Sequence, residues 1–142
     1  MRKLSSVALA GLVAGTVLTA CDPEGAALGP DLVPERISDA GGRTALCRLA
    51  DGGLMVRLRN QSNLDALATT RTQVTFGATA QSLASPPIAG GSFADVGPFA
   101  IPAGCFSSDC SFSVQVDADD AVAEGPGASA ETNNVAAGLC IG

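Results

Sequence analysis

The chain has 142 residues, enough for one domain, with 14 acidic residues against 8 basic ones and no histidine, tryptophan or tyrosine. The negative excess repels nucleic-acid phosphate and anionic headgroups, so nucleic acid is excluded as a partner. The absence of histidine removes the usual general base near neutral pH and the commonest zinc ligand. Any stacking platform would have to be built from five phenylalanines.

Taken in order, the chain opens with Arg2 and Lys3 ahead of an uncharged run from Leu4 to Ala20. Positive charge, an apolar stretch and small residues before a break make a secretory signal. The run of ~17 residues is at the short limit for a membrane span. Asp22-Pro23-Glu24 beyond it is not a stop-transfer pattern. The ending, Leu18-Thr19-Ala20-Cys21, resembles the lipobox of bacterial lipoproteins. That resemblance implies cleavage before Cys21, lipidation of Cys21 and attachment to the bacterial cell envelope through its acyl chains, which anchor firmly when several are present. Residues 1–20 would then be the signal peptide and 21–29 a lipidated N-terminus with a short tether. A domain over 30–142 would follow. Cleavage takes Arg2 and Lys3, so the formal charge of −6 becomes −8 and no lysine is left. The tether 22–29, rich in glycine and alanine, reaches at most ~26–29 Å.

Beyond the tether the pattern is that of short strands. Residues 30–37 read as an edge strand because they carry Pro30 and Pro34. Residues 45–50 read as a second strand, and Asp51-Gly52-Gly53 as a hairpin turn. Leu54, Val56 and Leu58 alternate with Met55, Arg57 and Arg59, which predicts one buried and one wet face. The two arginines suit a solvated sheet face better than an anion site. Asn60-Gln61-Ser62-Asn63 supplies turn-forming side chains and also matches a glycosylation acceptor pattern. A strand over 70–76 buries Thr72, Val74 and Phe76. Residues 77–91 carry no clear pattern, and Pro86-Pro87 bars a central strand there. Residues 93–101, broken by Gly97-Pro98, read as a bent or edge strand. Phe112, Val114 and Val116 alternate with polar residues in a further strand, and 135–141 form the last. Seven short strands without a helical period predict an all-β antiparallel sandwich.

With Cys21 lipidated, Cys47, Cys105, Cys110 and Cys140 remain. In an exported chain an even set reads as two disulfides, for which three connectivities exist. The favoured one joins Cys105 to Cys110 as a local clip and Cys47 to Cys140, tying an early strand to the last.

Pro30-Asp31-Leu32-Val33 and Leu54-Met55-Val56-Arg57-Leu58-Arg59-Asn60-Gln61-Ser62-Asn63 resemble the opening and second-strand pattern of CARDB domains, the cell-adhesion-related domains of bacteria. The strand ending at Asp117, the acidic turn through Glu124 and Glu131-Thr132-Asn133-Asn134 resemble the closing signature of that family. Ser62 stands where glycine is common, and the stretch from Gly125 to Ala130 is longer than usual. The resemblance implies an immunoglobulin-like β-sandwich used for adhesion or interaction, without catalysis, whose partner is an envelope or surface protein or a glycan.

Asp117, Asp119, Asp120, Glu124 and Glu131 crowd together beside Asn133 and Asn134. Hard oxygen donors at this density are the chemistry of calcium, and the alternative function is calcium-dependent binding of a ligand such as a carbohydrate through 117–134. The glycine and the twelfth-position glutamate of an EF-hand are absent, however. A turn in which these side chains satisfy backbone groups is the simpler expectation. No Gly-x-Ser-x-Gly elbow or phosphate loop is present. The chain is therefore expected not to be an enzyme and to need no cofactor.

Overall fold

The computed structural model describes residues 29–38, 41–125 and 132–142. Cys21 and the segment before it, together with Glu131, lie outside these residues.

The alternation over 54–59 produces the central strand of one sheet, β5 (Gly53–Asn60). Leu54, Val56 and Leu58 point inward and are almost wholly buried. Burying each such side chain contributes about 1.5–3 kcal/mol. One edge of β5 pairs along its length with β8 (Phe93–Phe99). The other edge is shared by β1 (Leu32–Glu35) and β4 (Leu49–Ala50). The second sheet runs in the order β10 (Val135–Cys140), β9 (Cys110–Gln115), β6 (Thr70–Phe76), β7 (Thr79–Ser85). All the pairings are antiparallel. Val74, Phe76, Phe112 and Val114 face Leu54, Val56, Leu58 and Phe99 in one hydrophobic core between the sheets. The fold is a single immunoglobulin-like antiparallel β-sandwich, and seven of its strands have four residues or more.

Two expectations about individual strands are corrected. Residues 45–50 do not form one strand. They divide between β3 (Thr44–Ala45), which pairs with β2 (Ile37–Ser38), and β4, which pairs with β5. Between them the chain turns Leu46 into the core and sends Cys47 to Cys140 of the other sheet, a switch that no continuous strand could make. Conversely, the unpatterned stretch after Phe76 contains β7, a strand of seven residues. It is an edge strand with mostly exposed side chains, so it carries no alternating apolar signal. Its one buried residue, Ser85, exchanges a 2.7 Å hydrogen bond with Thr72. Pro86 and Pro87 follow the strand and do not interrupt it.

The hairpin turn expected at Asp51-Gly52-Gly53 is present, with Asp51 and Gly52 as its two loop residues and Gly53 opening β5. Both loop residues have positive φ, 52° and 81°, the conformation that a tight type I′ turn needs and that Asp-Gly supplies with little strain. Gly97-Pro98 places an extra residue in β8 opposite β5, and the register shifts between Leu54 and Val56. That bulge interrupts regular pairing on an outer strand, in keeping with the bent or edge strand read from the sequence.

Asn60 ends β5 as a turn-forming side chain, its Oδ1 accepting from the N–H of Ser62 two residues on, and it also ties distant segments together. It is 0% exposed, and its side chain makes four hydrogen bonds. Its Oδ1 accepts from the backbone N–H of Asp31 and of Ser62, each at 3.2 Å. Its Nδ2 donates to the carbonyls of Leu64 at 2.7 Å and Ile88 at 3.1 Å. A side chain so enclosed is no glycan acceptor in the folded protein. Replacing it by alanine strands buried backbone groups of three segments. Asn60→Ala is expected to lower stability by about 1–3 kcal/mol in urea unfolding. A loss within a few tenths of a kcal/mol would show that water replaces the amide.

Candidate functional site

The four cysteines after Cys21 form the two expected bridges. Cys47 and Cys140 bond with a Cα–Cα distance of 5.2 Å, and Cys105 and Cys110 with 4.8 Å. The first joins the two sheets at the end where the chain finishes. The second clips the 3₁₀ turn at Cys105–Ser107 to the start of β9.

The acidic stretch after β9 is built by backbone contacts. Asp117 has a φ of 49° and is 5% exposed. Its two carboxylate oxygens accept from the N–H groups of Ala121 at 2.9 Å and Val122 at 3.0 Å. Asp119 accepts from the N–H of Arg71 at 2.9 Å, and the N–H of Ala118 donates to the carbonyl of Arg71. This extends the pairing of β6 past the end of β9. Glu124 accepts from the N–H of Leu32 at 2.9 Å, binding the turn to the start of β1. Asn133 donates to Asp31 at 3.0 Å. Asp117, Asp119 and Glu124, three of the carboxylates named as calcium ligands, thus each accept from backbone N–H groups. Among the described residues no three acidic or cysteine side chains stand in an arrangement that holds a metal. Gln115, Val116, Asp117, Ala118, Asp120, Asn134 and Val135 line an open depression of about 350 Å³ beside the turn. Burial pushes the Asp117 carboxyl above its usual range, against the two amides that favour its ionised form.

A second cluster, unseen in the sequence, lies on the outer face of β1, β5 and β8. Asp95 on β8 stands opposite Arg57 on β5. Arg57 holds it with two hydrogen bonds, Nε to Oδ1 at 2.8 Å and Nη2 to Oδ2 at 3.0 Å. Arg48 adds a third at 2.6 Å. The Arg57 guanidinium also lies 3.9 Å from the centroid of the Phe93 ring, which is 49% exposed. Alongside, Arg59 donates to Glu35 at 2.6 Å and to the carbonyl of Gly91 at 3.0 Å. The arginines read as a solvated face therefore belong to an ion-pair network across three strands, with an aromatic ring under one of them. Asp95 and Phe93 were visible only as alternate residues of an edge strand, and nothing local linked them to Arg57.

The hydrogen bonds from Arg57, with those from Arg48 and the charges of both, lower the Asp95 carboxyl to about 2 against the opposing effect of its partial burial. A folded pKa below the unfolded value near 4 means that Asp95 supports the fold above pH 4. That support fades as pH falls toward 2. Asp95→Asn is expected to flatten the fall in stability between pH 4 and 2, measured by denaturant midpoints along a pH series. An unchanged slope would mean that the network carries no stability.

No known protein-family model matches the chain, and no curated protein sequence matches it. A solved structure does. The solution NMR structure of residues 272–376 of a protein from Methanosarcina acetivorans, provisionally described as a cell surface protein, aligns with a TM-score of 0.57 at 18% identity. The alignment covers 80% of this chain and 92% of that one. Likeness at this identity defines a shared fold.

The arrangement of the acidic turn leads to a direct expectation. The thermal midpoint of the protein should be the same in chelator and in millimolar calcium. A rise that magnesium does not reproduce would show a calcium site by mass action.

Proposed function

We propose that this chain is an exported lipoprotein, anchored to the cell envelope through acyl chains on Cys21, that displays one CARDB-like sandwich as a non-catalytic interaction module. The observation that carries this reading is the fold shared with a domain of a protein provisionally described as a cell surface protein, over nearly the whole of that domain. Three other features support it. The Leu18-Thr19-Ala20-Cys21 sequence fits lipoprotein processing. Two disulfides fit an oxidising compartment. Among the described residues, Asp117, Asp119 and Glu124 of the acidic turn accept from backbone amides, and Asp95 and Glu35 of the outer face accept from arginines. Such a module binds another envelope or surface component through its loops or a sheet edge.

Metabolic labelling with an alkyne analogue of palmitate tests the anchor. The wild-type chain should carry label and fractionate with membranes, whereas Cys21→Ala should carry none and retain its signal segment. Unlabelled wild-type protein in the soluble fraction would refute the anchoring. Crosslinking in intact cells tests the module, and failure to recover any specific partner would count against it.

A further inference from the structure

The sandwich has several outer strands, and their edges differ. β7 is fastened across to the end of β8 by Gln81, whose side chain bonds both the N–H and the carbonyl of Ala100. β8 is interrupted by Gly97-Pro98, and β1 is short and carries Pro34. β10 differs. Among the described residues it pairs with β9 alone, over six residues that include neither proline nor charge.

The direction of its free groups follows from the ladder. The N–H of Val116 donates to the carbonyl of Asn134, so Asn134 faces β9. Alternation then turns Ala136, Gly138 and Cys140 toward β9 and sends the N–H and carbonyl groups of Val135, Ala137 and Leu139 outward. The Ala137 carbonyl accordingly receives a bond from Arg36 Nη2 at 3.2 Å, from outside the ladder. The same three residues expose their side chains on the outer face, Val135 at 54% and Leu139 at 48%, and Ile141 continues the row. An uncharged edge with an apolar row is a template for an added strand.

Charge decides what kind of strand fits. Among the described residues Arg36 makes no ion pair, and its hydrogen bond goes to the edge carbonyl itself. At the Val135 end, Asp117 and Asp120 line the depression that Val135 also borders. A second copy pairing antiparallel about Ala137 would bring two Arg36 guanidinium groups together at the two-fold axis. A strand with a carboxylate opposite Arg36 would relieve the lone cation, and a neutral or basic residue suits the Val135 end.

We infer that the free edge of β10 docks an extended segment of another envelope protein, with apolar side chains alternating along the Val135–Ala137–Leu139 row and a carboxylate placed against Arg36. This deepens the interaction-module reading and rests on it. The incoming backbone takes the outward N–H and carbonyl groups of β10, and Arg36 moves from the Ala137 carbonyl to the partner's acid.

The test uses the exported protein and a capped six-residue peptide that alternates valine with polar residues around a central glutamate, beside a counterpart with lysine in its place. NMR titration should shift the amide signals of Val135, Ala137 and Leu139 with the glutamate peptide. The lysine peptide should bind about fivefold more weakly. Arg36→Glu, at an exposed position, should invert that preference. Ala137→Pro removes an outward N–H that the β9 ladder does not use, and should abolish binding. Shifts confined to other strands, or equal affinity for the two peptides, would overturn the inference. So would a dimer that Ala137→Pro dissolves, since the occupant would then be a second copy. In intact cells a photocrosslinker at Leu139 separates the two levels of the argument. Crosslinking that survives Ala137→Pro contradicts the edge alone, whereas absence of any partner from every surface position contradicts the module reading.

Discussion

The bond between Cys47 and Cys140 is the constraint on which the sandwich depends most. It spans 93 positions of the chain and joins the segment between β3 and β4 to the last strand. The core it secures is mostly leucine and valine, with Ile88, Ala66, the sulfurs of Cys110 and Cys140, a few phenylalanines and no tryptophan or tyrosine. Large aromatic side chains dominate the energetics of many cores, and their scarcity leaves less burial to offset chain entropy. A crosslink over so long a loop lowers the entropy of the unfolded chain by the equivalent of about 4–5 kcal/mol on chain-entropy grounds, against about 2 kcal/mol for a loop as short as that of Cys105–Cys110. In a domain whose net stability is of order 5–15 kcal/mol, the first bridge is a large fraction of the whole.

Polar side chains carry much of the remaining specification. Asn60 joins the end of β5 to the segments holding Asp31, Leu64 and Ile88. Asp117, Asp119 and Glu124 do the same at the acidic turn, each by accepting from backbone N–H groups that the ladders leave open. Buried or half-buried backbone donors need such partners, and carboxylates make the stronger bonds. This explains how a strongly acidic stretch can be structural. Its charges close the end of a sandwich where β1, β6, β9 and β10 meet.

The strands that were legible in the sequence are those with one buried face. The alternation through Leu54, Val56 and Leu58, and that through Thr72, Val74 and Phe76, gives each side chain its side because the sheet puts successive residues on opposite faces. The hairpin at Asp51-Gly52 was legible because its backbone conformation needs those residue types. β7 was not, since an outer strand exposed along most of its length has no apolar period to read. Nor was the break at Leu46-Cys47, which arises from a change of sheet and from a partner 93 positions away. The network of Arg48, Arg57 and Asp95 depends on the register between β5 and β8, which the bulge at Gly97-Pro98 resets. Residue types announced the acidic turn, but only the geometry shows which amide each carboxylate serves.

A long-range crosslink compensates for a small core, and one comparison tests this most directly. Urea unfolding of the double variants Cys47→Ala/Cys140→Ala and Cys105→Ala/Cys110→Ala should be measured beside the wild type. A loss of about 4–5 kcal/mol, or no folded state, is expected for the first pair and about 2 kcal/mol for the second. Equal losses, or a larger one for the short loop, would contradict that expectation and would place the strength of the sandwich in the packing of its sheets.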